Sequence, residues 1–107
     1  MISFGEKRNY EDFTKQLSPA MLPLFGSLRN FCLLLGKNVV EDIRMHRIVF
    51  CKSITFRWFV DIEPQGESIK MKIQKDRKDL QETSLIKTDK DVEYAKELIQ
   101  NAYKTIR

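Results

Sequence analysis

ITFRWFVDIEPQGESIKMKIQ, residues 54–74, is the stretch whose reading decides the fold of this chain. From Ile54 to Ile62 every even position is apolar: Ile54, Phe56, Trp58, Val60 and Ile62. After Glu63-Pro64-Gln65-Gly66-Glu67 the alternation resumes at Ile69, Met71 and Ile73, with Lys70 and Lys72 between them. Period-two alternation marks half-buried strands, and proline and glycine between two such runs mark a turn. The stretch therefore reads as an antiparallel hairpin. A four-residue loop over Pro64–Glu67 pairs Ile62 with Ile69, Val60 with Met71 and Trp58 with Ile73, so one face is wholly apolar. The same register sets Asp61 opposite Lys70, Phe59 opposite Lys72 and Arg57 opposite Gln74. On this reading Trp58 is a core residue packed near Phe31, Leu98 and Ile99. Arg57, Phe59, Lys70 and Lys72 share the face turned away from the core.

Outward from the hairpin, Arg47–Cys51 is apolar on both faces, as expected of an interior strand. Lys52-Ser53 reads as the tight turn that follows it. Towards the N-terminus, residues 1–10 lack periodicity and read as a loose arm. Tyr10–Leu17 has the spacing of a short helix. Ser18-Pro19 is a helix start signal, with Pro23 marking an alternative beginning. Leu24, Phe25, Leu28, Phe31, Cys32 and Leu35 then recur at helical spacing, up to a stop at Gly36. Asn38 reads as the cap of a short second helix through Val39, Val40, Ile43 and Arg44.

Beyond the hairpin, KDRKDLQETS is polar and reads as an exposed loop, followed by a short edge strand at Leu85-Ile86. Thr88 and Asp91 have capping-box spacing ahead of a final helix from Asp89 to about Thr105. That helix places Val92, Ala95, Leu98, Ile99, Ala102, Tyr103 and Ile106 on one face. The expected architecture is α+β in a single domain spanning 1–107. It has two N-terminal helices, a three- to four-stranded antiparallel sheet, and a C-terminal helix on one face of it.

The leading run LFGSLRNFCLLLGKNVVEDIRMHRIVF, the hairpin segment FVDIEPQGESIKMKI and the closing DVEYAKELIQNAYKTI resemble the family called domain of unknown function five-six-five-five. The residues that carry the resemblance are Leu33–Val40, Ile48–Phe50, Phe59–Pro64, Ile69–Ile73 and Leu98–Tyr103, within roughly residues 22 to 106. They are core and turn positions, so the resemblance speaks to fold. Members of that family occur alone or at the C-terminal end of longer proteins, some with restriction-like nuclease domains, and some are labelled predicted transport proteins. The resemblance implies a small accessory module. The short KDRKDLQETS loop departs from the longer, glycine-rich insertion of many relatives.

Composition narrows the function classes. Net charge is +4, and the excess lies in residues 37–78, which hold ten Lys/Arg against six Asp/Glu. Such a surplus suits a polyanionic partner. The N-terminus has no apolar signal-peptide core, and no apolar run is long enough for a membrane span. Cys32 and Cys51 sit in apolar surroundings and read as reduced thiols in a cytoplasmic protein. His46 is the single histidine and reads as a surface residue, so no Ser-His-acid constellation or His-based metal cluster is expected. The four glycines are isolated and form no phosphate loop. Glu41-Asp42 and Asp89/Asp91 read as structural acids. The expectation is a non-enzymatic module without metal or cofactor and without membrane contact. Two partners suit the outward face of Arg57, Phe59, Lys70 and Lys72. One is nucleic acid, held by phosphate contacts and base stacking. The other is a second copy, a homodimer or other protein contact that buries an apolar patch expected there from Ile48, Phe50 and Phe59.

Overall fold

The structure, a computed structural model, describes residues 9–53, 55, 57–75 and 81–106. Its elements are α1 (Tyr10–Thr14), α2 (Met21–Leu33), β1 (Val39–Ile43), β2 (Ile48–Lys52), β3 (Arg57–Gln65), β4 (Ser68–Ile73), β5 (Glu82–Ile86) and α3 (Asp89–Thr105). The class is α+β. The five strands form one antiparallel sheet in the order β1-β2-β3-β4-β5, each beside its neighbour in sequence. The helices lie on one side of it. The expected three or four strands are thus five. Of the expected arm, residues 1–10, Asn9 caps α1 and Tyr10 begins it, while residues 1–8 and the alternating positions Ile54 and Phe56 lie outside the described residues.

Two local expectations are corrected. Val39–Ile43 is an edge strand, where a short second helix was expected. Its two β-branched valines pack well on a pleated surface. Its register of Ile43 opposite Ile48 and Glu41 opposite Phe50 puts its half-buried residues under α2. The last edge strand is also longer than Leu85-Ile86. It starts at Glu82 and takes in part of the polar loop.

The hairpin turn is tighter than expected. Gln65 pairs with Ser68, leaving Gly66-Glu67 as a two-residue loop, and Gly66 has φ of 63°. Two-residue hairpins need positive φ, which glycine supplies without a Cβ penalty. The register is therefore displaced by two residues: Ile62 faces Met71, Val60 faces Ile73, Asp61 faces Lys72 and Glu63 faces Lys70. A two-residue displacement preserves side-chain parity, so the apolar face and the opposed charges both survive.

A bulge in β3 does not preserve parity. Phe50 faces Val60, but the next residue, Cys51, faces Trp58, so Phe59 is the extra residue. Two successive side chains, Phe59 and Val60, consequently point under the helices, and both have no solvent exposure. Trp58 is turned to the opposite face and is half-buried. The expectation of a core Trp58 and an outward Phe59 is thereby reversed. Gln74 holds the bulge. Its backbone N–H donates to Phe59 O at 3.1 Å, and its side-chain Nε2 donates to Trp58 O at 3.1 Å.

The core lies between the sheet and the two long helices. Ile48, Phe50, Phe59, Val60, Ile62, Ile69, Met71, Ile73 and Ile86 meet Leu24, Phe25, Leu28 and Cys32 of α2, and Val92, Ala95, Ile99 and Ala102 of α3. The capping box of α3 forms as its sequence predicts. Thr88 Oγ1 accepts from Asp91 N, and the Asp91 carboxylate accepts from Thr88 N. The α1 segment is tied down by Tyr10, whose ring lies 4.0 Å from the Arg29 guanidinium. Arg29 in turn makes a two-pronged bond to Glu41 of β1.

Candidate nucleic-acid interface

Antiparallel opposition puts directly facing residues on one side of the sheet. The side away from the helices therefore carries Val40 and Asp42 of β1, Val49 and Cys51 of β2, and Trp58, Asp61 and Glu63 of β3. It continues with Lys70 and Lys72 of β4 and with Thr83 and Leu85 of β5. Val40, Cys51 and Trp58 form one apolar row across three strands. Val49, on the same face, is 3% exposed.

The four residues expected to act together divide into two pairs. Lys70 and Lys72 stand on the open face, opposite Glu63 and Asp61. Phe59 lies in the core against Tyr103. Ile48 and Phe50, expected to join it in an outward apolar patch, are also fully buried on the helix side, so that patch does not exist. Arg57 faces Lys52, whose Nζ reaches Ile106 O at 2.7 Å and lies 4.5 Å from the centre of the Tyr103 ring. Lys52, and Arg57 with it, therefore sits on the helix side. The physical reason is again the bulge, which inverts parity for every β3 residue before Val60.

The bulge supplies a different aromatic to the open face. Trp58 lines a shallow depression of about 170 Å³ together with Arg44, Val49, Asp61, Lys72 and Gln81. An indole, two cations, a carboxylate and an amide thus meet at one place on a sheet face that no described helix covers. Arg44 is brought there by the hairpin turn at Met45-His46, which its own N–H closes by donating to Arg47 O at 2.8 Å. Its Nε donates to Asp42 at 2.9 Å. Arg47 bridges two carboxylates, Asp61 at 3.0 Å and Glu63 at 3.3 Å. Asp61 is only 9% exposed, so this pair anchors the floor of the depression. The Cys51 thiol beside Trp58 is pushed up by burial, with Asp42 adding to the effect.

Sequence reasoning missed Arg44 and Gln81 and assigned Trp58 to the core. One signal was present: Trp58-Phe59-Val60 places three large apolar residues in succession. Strict alternation cannot bury the outer two and also satisfy the middle one.

A wider cleft of about 640 Å³ lies between the α1–α2 connection and the β3–β4 turn, lined by Ser18, His46, Glu63 and Glu67 among others. His46 is exposed there. Among the described residues, no three His, Cys, Asp or Glu side chains come together as a metal site. No described helix is long and apolar enough to cross a membrane. No family model, curated protein or solved structure matches this chain.

Proposed function

We propose that this chain is a non-enzymatic accessory module that binds single-stranded nucleic acid on the open face of its sheet, with Trp58 as the stacking platform. The observation that carries the reading is the depression where Trp58 meets Arg44 and Lys72. Aromatic platforms flanked by cations hold unpaired strands because every base has a π-face and every nucleotide a phosphate. Asp42 takes only the Nε of Arg44 among the described contacts, and a guanidinium has further donors for a phosphate. The positive excess of residues 37–78 acts in the same direction. The resemblance to the domain of unknown function five-six-five-five, some members of which carry nuclease domains, is compatible with this role.

Trp58 is the single tryptophan, so its emission reports directly on the site. Titration with single-stranded oligonucleotides at low salt is expected to quench it. Arg44→Gln with Lys72→Gln should lower the salt slope of binding by about one unit for each phosphate left without its cation. Trp58→Phe should weaken binding while leaving that slope in place, measured by anisotropy of a labelled strand. Absence of binding at low salt in the unmodified protein overturns the reading.

A second reading, protein contact without nucleic acid, is favoured by the opposed charges. Lys72 faces Asp61 and Lys70 faces Glu63, which leaves the apolar row Val40-Cys51-Trp58 prominent. Binding of a protein surface that persists at high salt, with no affinity for nucleic acid, would select it.

A further inference from the structure

The two edges of the sheet are built differently. β1 carries Glu41 and Asp42 at its middle, and Arg29 and Arg44 are bonded to them. Charges on an edge strand discourage pairing with another chain. β5 carries a charge only at its first residue, Glu82, which lies 3.6 Å from Lys75 of its own chain. Thr83, Ser84, Leu85 and Ile86 are uncharged, and Leu85 is 54% exposed on the open face. Neither proline nor a bulge interrupts the strand. Among the described residues no further strand pairs with its outer side. The chain leaves the sheet immediately afterwards, because the N–H groups of Lys87 and Thr88 are taken by the Asp91 carboxylate at 2.9 and 3.2 Å.

We infer that β5 is a self-pairing edge, whose partner is the β5 of a second copy of this chain. A two-fold axis perpendicular to the sheet must pass through a residue that faces itself, since opposed residues share a face. Placing Ser84 on that axis pairs the whole five-residue strand with its copy and extends no further. Thr83 then faces Leu85 of the copy on the open side, covering the exposed leucine. The contact is isologous and closes on itself. The product is one sheet of twice five strands, ended on both sides by the charged β1.

This geometry bears on the proposed nucleic-acid site without depending on it. The axis keeps both open faces on the same side, and the two Trp58 positions are separated by five inter-strand steps. At normal spacing that is roughly 24 Å across the strands. Trp58 also lies about three pair steps along β3 from the axis, in opposite senses in the two copies, so the two positions are roughly 30 Å apart. One strand of nucleic acid spanning both depressions would gain from the high effective concentration of the second site. A five-residue edge covers little area, so the dimer is weak and concentration-dependent.

The test is mass by sedimentation equilibrium, up to millimolar concentration. The unmodified protein is expected to shift towards twice the 12.7 kDa chain mass as concentration rises. Thr83→Lys with Leu85→Lys sets lysine against lysine on both sides of the axis and should keep the chain monomeric. Both positions are exposed, so the melting temperature at low concentration serves as the folding control. Thr83→Lys with Leu85→Glu sets opposite charges across the same axis and should restore the dimer. A mass that stays at one chain throughout, a dimer that survives the double lysine, or failure of the lysine–glutamate pair to restore it overturns the inference.

Discussion

The ring of Phe59 meets the ring of Tyr103 edge-on, with centroids 5.4 Å apart and planes at 62°. Edge-to-face pairs add to the stabilisation that burial alone provides. The contact joins the bulge in β3 to the C-terminal turns of α3, and Tyr103 in turn bonds the Asn38 side chain, just ahead of β1. Gly36 lies so close to the Tyr103 hydroxyl that a Cβ there would overlap it. The bulge is thus locked from the helix side as well as by Gln74.

Phe59→Ala and Trp58→Ala are expected to rank opposite to strict alternation. Removing the fully buried Phe59 should cost about 3–5 kcal/mol. The half-buried Trp58, outside the main core, should cost clearly less. Urea denaturation of the two variants checks this, and a larger loss for Trp58 would refute the bulge.

Gln74→Ala should destabilise by about 1 kcal/mol, the usual contribution of a hydrogen bond of this kind, because Trp58 O loses its side-chain donor. The backbone bond to Phe59 O remains, so the variant should fold. Hydrogen exchange in β3 and β4 should accelerate locally.

Gly66→Ala should cost roughly 1 kcal/mol through backbone conformation alone. Apart from its immediate chain neighbours, no described residue comes within 4 Å of the added Cβ, so the φ of 63° is the obstacle. Thermal denaturation decides: an unchanged or raised melting temperature would contradict the two-residue turn.

The Asp91 carboxyl is held below its ordinary range, chiefly by the Lys87 N–H and further by Thr88. A depressed carboxylate stabilises the fold above its unfolded pKa, and that contribution is lost as pH falls through the lower, folded value. The melting temperature should therefore fall on acidification below about pH 4. Asp91→Asn should flatten part of that acid limb, and an unaltered pH profile would show that Asp91 contributes nothing to it.

Thiol labelling should separate the cysteines. Cys32 is fully buried and its thiol is pushed up by burial, whereas Cys51 is half-buried on the open face. In the native protein Cys51 should be alkylated first, and Cys32 only on unfolding. Labelling of both at equal rates would contradict the assignment of Cys51 to that face.

Much of the architecture was legible in the sequence because it follows from short-range periodicity. The apolar spacing of α2 and α3, the Thr88–Asp91 cap, the two-sided burial of β2 and the hairpin itself all depend on residues a few positions apart. A shift of register by two, forced by the Gly66-Glu67 turn, left the faces intact. What only the tertiary structure decided is which side of the sheet three consecutive residues occupy. Trp58, Phe59 and Val60 are all apolar, so side-chain character cannot order them. The choice was made by space under α3, where Tyr103 receives Phe59, and by Gln74, which satisfies the displaced carbonyls. The same limit applies to Val39–Ile43, whose spacing suits a helix or a strand. Pairing with β2 across the Met45-His46 turn and the bond from Arg29 to Glu41 settle it, and neither is visible in the apolar spacing of the segment itself. Arg44 and Gln81 reach Trp58 only once those long-range pairings exist, because five residues of local alternation carry no information about which strands become neighbours.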